Sequence, residues 1–173
     1  MDLQTAINLF IFVLPAYVAN ALPVLLGGGA PLDLERNFTD KRRIFGNGKT
    51  IMGFLGGVFS GICAGGIITY FTVIPFFPDA RTQFIAFSLM SLGTMAGDAL
   101  GSFVKRRLGM GEGKQFILDQ LMFLIVALIA AFPFASRSAY SLELLVVLFV
   151  ATYILHAASN LFANRMGWKK VPW

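Results

Sequence analysis

The sequence predicts an all-α integral membrane protein with five transmembrane helices, the N-terminus outside and the C-terminus cytoplasmic. Composition is the first observation behind this. Of 173 residues, 57% are hydrophobic and 13% charged, with a mean hydropathy of +0.73, whereas soluble domains carry about 25% charged residues. Segmentation is the second. Five stretches, near residues 5–26, 51–73, 84–104, 116–135 and 142–162, each approach the roughly 20 mostly apolar residues that a spanning helix needs. The third is the placement of the bases. Twelve of the 14 Lys and Arg residues fall in 27–50, in 105–115 and in the C-terminal tail. Cytoplasmic loops carry such an excess, so loops 27–50 and 105–115 are expected on the cytoplasmic side. Arg81 and Arg137 lie in the two short loops opposite. The connections are too short for a separate soluble domain, so residues 1–173 form one transmembrane domain. The net charge of +5 reflects this topology and is poor evidence for nucleic-acid binding.

Asp2 is the only charged side chain ahead of the first segment. The segment lacks a basic leader and is too long for a signal-peptide core, so it reads as a helix. It contains Pro15, Asn20 and Pro23 and ends in Gly27-Gly28-Gly29; prolines are tolerated in membrane helices when neighbours satisfy the freed carbonyls. The second segment is glycine-rich, with Gly53, Gly57 and Gly61 four apart, a spacing that lets helices approach closely in lipid. Cys63 is the single cysteine. It excludes an intrachain disulfide and a cysteine-rich metal site, and is expected to be a small packing residue. The third segment carries Ser91, Thr94, Asp98, Ser102 and Lys105 on one helical face, which is expected to face the bundle interior or a wet cavity. The fifth carries His156, Asn160 and Asn164 four apart. His156, the only histidine, reads as an interhelical hydrogen-bonding partner, and Asn160 as a candidate for lining a site. No internal repeat is evident, which counts against a transporter built from inverted halves.

Asp98 and Asp119 carry the chemical argument. Each is the only charge in its apolar stretch, and an acid in a membrane segment costs several kcal/mol, so it marks a functional site by default. Asp98 lies six residues, about 9 Å, from the expected helix end at Val104, and Asp119 four residues, about 6 Å, from the next helix start. The two helices are antiparallel, so the carboxylates are expected at similar depth on facing helices. Two such charges repel, and a hard divalent cation such as Mg²⁺ relieves this while keeping water and phosphate oxygens as further ligands. The alternative is that each acid pairs with an arginine.

Loop 27–50 ends Asp40-Lys41-Arg42-Arg43-Ile44-Phe45-Gly46-Asn47-Gly48-Lys49-Thr50. Its close looks like the end of a phosphate-binding P-loop. It is not one, because position 43 is Arg where Gly is required and no strand precedes it. A glycine turn, a lysine and a threonine able to cap the next helix still make an anion site. The alternative is that these bases only anchor to anionic headgroups, which leaves the interleaved glycines and buried acids unexplained. Acids beside bases at one membrane edge suit phosphoryl or nucleotidyl transfer, which rests on positioning and charge neutralisation and needs no histidine.

These residues resemble a known family. Gly97-Asp98, then Ser102-Phe103-Val104-Lys105-Arg106-Arg107, then Asp119-Gln120 are similar to the signature of membrane CTP:phosphatidate cytidylyltransferases. The chain departs from the bacterial pattern in having Asp-Gln for Asp-Arg, in lacking a His-Gly-Gly element and in being shorter. It resembles more closely the archaeal branch, the CDP-archaeol synthases, over nearly its whole length. The likeness includes Pro15-Ala16-Tyr17 with Asn20, Pro31-Leu32-Asp33, the Asp40–Thr50 run, Asn160 and the terminal Gly167–Trp173. Where that family often has Asp-Gly-Arg-Arg, this chain has Asp40-Lys41-Arg42-Arg43.

The resemblance implies Mg²⁺-dependent transfer of CMP from CTP to the phosphate of a prenylated glycerol-phosphate lipid, 2,3-bis-(O-geranylgeranyl)-sn-glycerol 1-phosphate, at the cytoplasmic face of the cell membrane. Asp98 and Asp119 would hold one or two Mg²⁺ ions, and Lys49 and Lys105 would act with them in catalysis. Asp40, Arg42, Arg43, Gly46, Lys49, Thr50, Ser102, Lys105, Arg106 and Asn160 would bind nucleotide and phosphate. From another class, a small cation or solute transporter with buried acidic sites is the alternative.

Overall fold

The computed structural model describes residues 1–111 and 117–167, without the side chains of residues 117, 119 and 120. All regular structure among these residues is helical. Helix α1 (Leu3–Ala21) starts where the Asp2 carboxylate accepts from Thr5 N at 3.0 Å. It stops before Pro23, which opens the four-residue helix α2 (Pro23–Leu26). Helix α3 spans Ile51–Phe71, α4 Ala80–Arg107, α5 Ile117–Ala131 and α6 Leu142–Arg165. A short 3-10 turn at Arg137–Tyr140 precedes α6.

The segment from α1 through α2, together with α3, α4 and α6, gives four spans long and apolar enough to cross a membrane. Helix α5 is the shorter apolar helix over 15 residues. The expected span at 84–104 lies within the 28-residue α4, and Lys105, Arg106 and Arg107 form its last turn, where cations favour the helix dipole. These residues belong to the helix rather than to the loop expected at 105–115. The Schellman-type close that follows ends it: Gly109 (φ +72°) donates to Arg106 O and Met110 to Lys105 O, both at 3.1 Å.

Helix packing fixes two registers. A methyl group placed on Gly57, Gly61 or Gly65 would strike Met95, Ser91 or Phe87 in turn. The glycine face of α3 therefore lies directly on α4, running antiparallel, while Gly53, one turn earlier and also buried, packs on Pro23 and Gly27. In that register α3 begins opposite Gly101, so the last six residues of α4 overhang it. On the other side, Gly93 packs on Ala127 and Gly97 on Met122 and Phe123 of α5. Extending this register puts the Asp119 backbone opposite Gly101, one turn from Asp98.

Cys63 corrects its expected role. It is exposed, because the buried face of α3 is the glycine row at 53, 57, 61 and 65. The polar stripe of α4 divides. Ser91 and Thr94 are fully buried and donate to their own helix, to Phe87 O at 2.7 Å and Met90 O at 2.9 Å. Asp98 and Ser102, nearer the overhang, keep partial exposure. The apolar core gathers Phe12, Phe76, Phe77, Phe87, Phe123 and their neighbours toward the opposite end. There Gln83, fully buried, accepts from Ile74 N at 2.9 Å and donates to Thr72 O at 2.8 Å, pinning the α3–α4 turn.

Candidate functional site

The segment between α2 and α3 folds over the α4 overhang. Its organiser is Asp33, whose side chain is wholly buried. Oδ1 accepts from Arg43 Nη2 at 2.5 Å and Glu35 N at 3.2 Å. Oδ2 accepts from Arg43 Nε at 3.2 Å, Phe45 N at 2.9 Å and Gly46 N at 3.0 Å. Burial alone would raise this carboxyl. The Arg43 hydrogen bonds, the two backbone N–H groups and the guanidinium charge outweigh it and hold Asp33 well below the usual carboxylate range. Leu32 N to Lys49 O at 2.7 Å and Ile51 N to Ala30 O at 3.1 Å close the base of the loop.

Lys41 shows why glycine suits its position. Its φ is +61°, in the left-handed region that costs a non-glycine residue about 1–2 kcal/mol. Replacing it with glycine relieves that strain, and the more flexible unfolded chain takes back about 0.5–1 kcal/mol. Lys41→Gly is therefore expected to keep full activity and leave loop protection equal or slightly better, as read by the rate of tryptic cleavage at Arg36.

At the foot of the loop, Thr50 caps α3: its Oγ1 accepts from Gly53 N at 3.0 Å and also from Gly28 N at 3.2 Å. The preceding residue reaches into the bundle, and Lys49 Nζ lies 2.6 Å from Asp98 Oδ2. The intramembrane acid thus pairs with a lysine, not the arginine considered as the alternative. Asp98 stands nine residues, about 14 Å, from the end of α4.

Above this pair, arginines cross between loop and helix. Arg42 Nη1 donates to Arg106 O at 3.2 Å and Arg107 O at 3.0 Å, capping the C-terminus of α4. Arg106 Nη1 donates to Met110 O at 3.0 Å, and its Nε lies 3.4 Å from Phe45 O. Each guanidinium lies against a glycine of the other segment: a Cβ on Gly46 (φ +86°) would come 3.0 Å from Arg106, and one on Gly109 2.9 Å from Arg42. Arg42, Arg43, Gly46, Arg106, Gly109, Met110 and Gly111 line an open cleft of about 340 Å³. Three guanidiniums facing one cleft make it suited to a polyanion.

Asp40 accepts from Arg42 N at 3.1 Å and pairs with Arg107 at 3.1 Å. Lys105 and Ser102 are half-buried on the overhang. Asn160 is buried on α6 and bonds His156 Nδ1 at 2.9 Å, while His156 stacks on Phe123 of α5. The Asp119 side chain lies outside the described residues, as do Lys114 and the tail from Trp168 onward. Among the described residues, no three His, Cys, Asp or Glu side chains cluster for a metal. Mg²⁺ is commonly held by one or two carboxylates with waters and substrate phosphates. A partly exposed Asp98, with the Asp119 backbone one turn away, fits that donor set.

Sequence reasoning gave no site role to two residues that it named only within the family likeness, Asp33 and Arg107. Asp33 had a signal, an acid after Pro31-Leu32 with bases downstream. Arg107 had another, its spacing four residues after Phe103 on one helical face.

The comparisons with known proteins agree with one another. A family model described as CarS-like, CDP-archaeol synthase, matches residues 3–173. The CDP-archaeol synthase of Pyrococcus horikoshii is 42% identical over 174 aligned positions, covering all of both chains. That of Thermococcus kodakarensis is 46% identical over 95% of this chain and 94% of the relative. A solved structure, described as an intramembrane enzyme for archaeal membrane lipid biosynthesis, matches with a TM-score of 0.73 at 35% identity, covering 87% of this chain and 91% of its own.

Proposed function

The chain belongs to the CDP-archaeol synthase family, and from that premise we propose that it transfers CMP from CTP to the phosphate of 2,3-bis-(O-geranylgeranyl)-sn-glycerol 1-phosphate. The products are CDP-archaeol, in its unsaturated form, and pyrophosphate. Membership sets aside the transporter alternative. The observation that carries the site assignment is the Lys49–Asp98 contact beneath the arginine-lined cleft, which brings a phosphate-binding charge and an intramembrane acid together.

In this reading an oxygen of the lipid phosphate attacks the α-phosphorus of CTP. The new P–O bond forms as the bond to the β-phosphate bridging oxygen breaks, and pyrophosphate leaves. No general base is required, because the second pKa of a phosphate monoester is about 6. The chain supplies positioning and charge. Arg42, Arg43 and Arg106 receive the triphosphate in the cleft, and Gly46, having no side chain, leaves room there for the Arg106 guanidinium. Lys49 and Lys105 stand over the reacting phosphates, with Ser102 beside them. Thr50 holds Lys49 by fixing the start of α3, Asp40 holds the rim, and Asn160 would contribute a polar group from α6, outside the arginine cleft. Asp98 and Asp119 would hold one or two Mg²⁺ ions, which when bound would supply charge neutralisation at the phosphates.

Five spans, with α5 as the fourth, put both basic segments at the cytoplasmic face, where CTP is available. The excess of Lys and Arg in those segments supports this orientation. The apolar, exposed faces of α3 and α6 (Leu55, Phe59, Val146 and Val150 among them) support lateral entry of the prenyl chains from lipid. Purified protein in detergent, given CTP, Mg²⁺ and the geranylgeranyl-ether glycerol phosphate, is expected to release pyrophosphate and form the CDP-lipid. No product with any lipid phosphate would sink the reaction assignment.

A further inference from the structure

We infer that Arg107 is a positioning residue for the nucleotide cleft: it locks the loop between α2 and α3 onto the α4 overhang and does not itself touch substrate. This rests on the cleft being the CTP site. The Arg107 guanidinium lies 4.9 Å from the Phe38 ring centroid and 4.9 Å from that of Phe103. One ring comes from the loop and the other from α4, and they meet edge to face at 5.3 Å. Nη2 donates to Arg43 O at 2.7 Å and lies 3.3 Å from Arg42 O, while Nη1 faces Asp40 Oδ1 at 3.1 Å. These partners are loop backbone, a loop carboxylate and two aromatic faces.

The contacts land on the residues that shape the cleft. The two carbonyls belong to Arg42 and Arg43, whose side chains line it. Asp40 holds Arg42 through its backbone N–H. Arg42 in turn returns its own guanidinium to the carbonyl of Arg107. Loop and helix end therefore hold each other by exchanged arginines, with Arg107 at the centre. Only arginine fits this place. The guanidinium carbon lies over both ring faces while Nη2 reaches two loop carbonyls and Nη1 faces the Asp40 charge, whereas a lysine ammonium is a compact point charge.

A loosened latch has a defined kinetic signature. If the loop occupies its cleft-forming position only a fraction of the time, apparent CTP affinity falls by that fraction. Saturating CTP selects the formed state, so turnover recovers. Arg107→Lys is expected to raise KM for CTP about tenfold, with kcat within about twofold of wild type. Phe38→Leu, at an exposed ring, removes one face of the stack with little risk to folding and is expected to shift KM the same way by a smaller factor.

The test is steady-state kinetics on both variants, with CTP binding measured separately without lipid. A fall in kcat at saturating CTP in a folded variant would overturn the proposal, because it marks a contact made to the reacting groups. An unchanged KM in Phe38→Leu together with an unchanged KM or failed folding in Arg107→Lys would also overturn it. A wild type that binds CTP but transfers nothing would sink the reaction assignment alone, and the ratio of CTP dissociation constants would still decide the role of Arg107.

Discussion

Asp98→Asn is expected to lower cytidylyl transfer by about 1000-fold while the protein remains folded. The substitution keeps the shape of the side chain and an oxygen for Lys49, and removes the negative charge. If Asp98 organises charge at the reacting phosphates, losing it removes an electrostatic contribution made in the transition state, for which single-group deletions cost about 10²–10³ in rate, or up to about 4 kcal/mol of barrier. The structural cost is far smaller. The side chains of Lys49 and Asp98 remain 27% and 21% exposed, so Lys49 keeps a route to water and a hydrogen bond to the asparagine oxygen when the charge is removed. Activity and folding should therefore separate. The check is product formed per unit time, with monodispersity and thermal unfolding in detergent as the folding control and Asp119→Asn in parallel. Full activity in Asp98→Asn would remove its metal-holding role and leave family membership untouched.

The helices were legible because lipid imposes a simple rule, long apolar segments with internally satisfied backbones. The glycine row of α3 was legible for the same reason: small residues four apart have one use between packed helices, and Gly57, Gly61 and Gly65 abut Met95, Ser91 and Phe87. Asp98 stood out through the cost of burying charge. The loop was much less legible, since basic residues in a segment at a membrane edge look alike in sequence whether they bind phosphate, lipid or protein. Arg43 is anchored by Asp33, and Arg42 by the end of α4, and both still border the cleft. That division depends on the overhang of α4 beyond α3, a tertiary offset that no local pattern encodes. Cys63 illustrates the same limit. Its burial is decided by which face of α3 the glycines claim, and the sequence position alone reads as interior.

Asp33→Asn is expected to open the loop locally rather than unfold the helices. Both carboxylate oxygens are in use, Oδ1 toward Arg43 and Glu35 N, Oδ2 toward Arg43, Phe45 N and Gly46 N. An asparagine offers one oxygen and one NH₂, so in either orientation donors face donors and the Arg43 charge loses its partner. Breaking one side of a buried pair costs about 3–5 kcal/mol. Arg43 keeps partial exposure, so the lower end applies. About 3 kcal/mol is roughly a 100-fold change in an equilibrium constant. Because the contacts concern the loop and not the helix core, that factor should appear in a local opening equilibrium.

Tryptic cleavage at Arg36 or Lys41 should accelerate by about 100-fold where opening is fast relative to cleavage. The melting of the helical bundle should barely move, and the CTP KM should rise, because Arg43 and Gly46 border the cleft. The pH dependence of the wild-type loop carries the same sign. The folded carboxyl is held below its unfolded pKa of about 3.9, so its contribution is fully present above about pH 5 and is lost as pH falls through the folded pKa. Wild-type cleavage by an acid-tolerant protease should therefore rise below about pH 4, while in Asp33→Asn this carboxyl no longer contributes to the change. Equal cleavage of wild type and variant at neutral pH would mean that the loop is held by the arginine crossings alone.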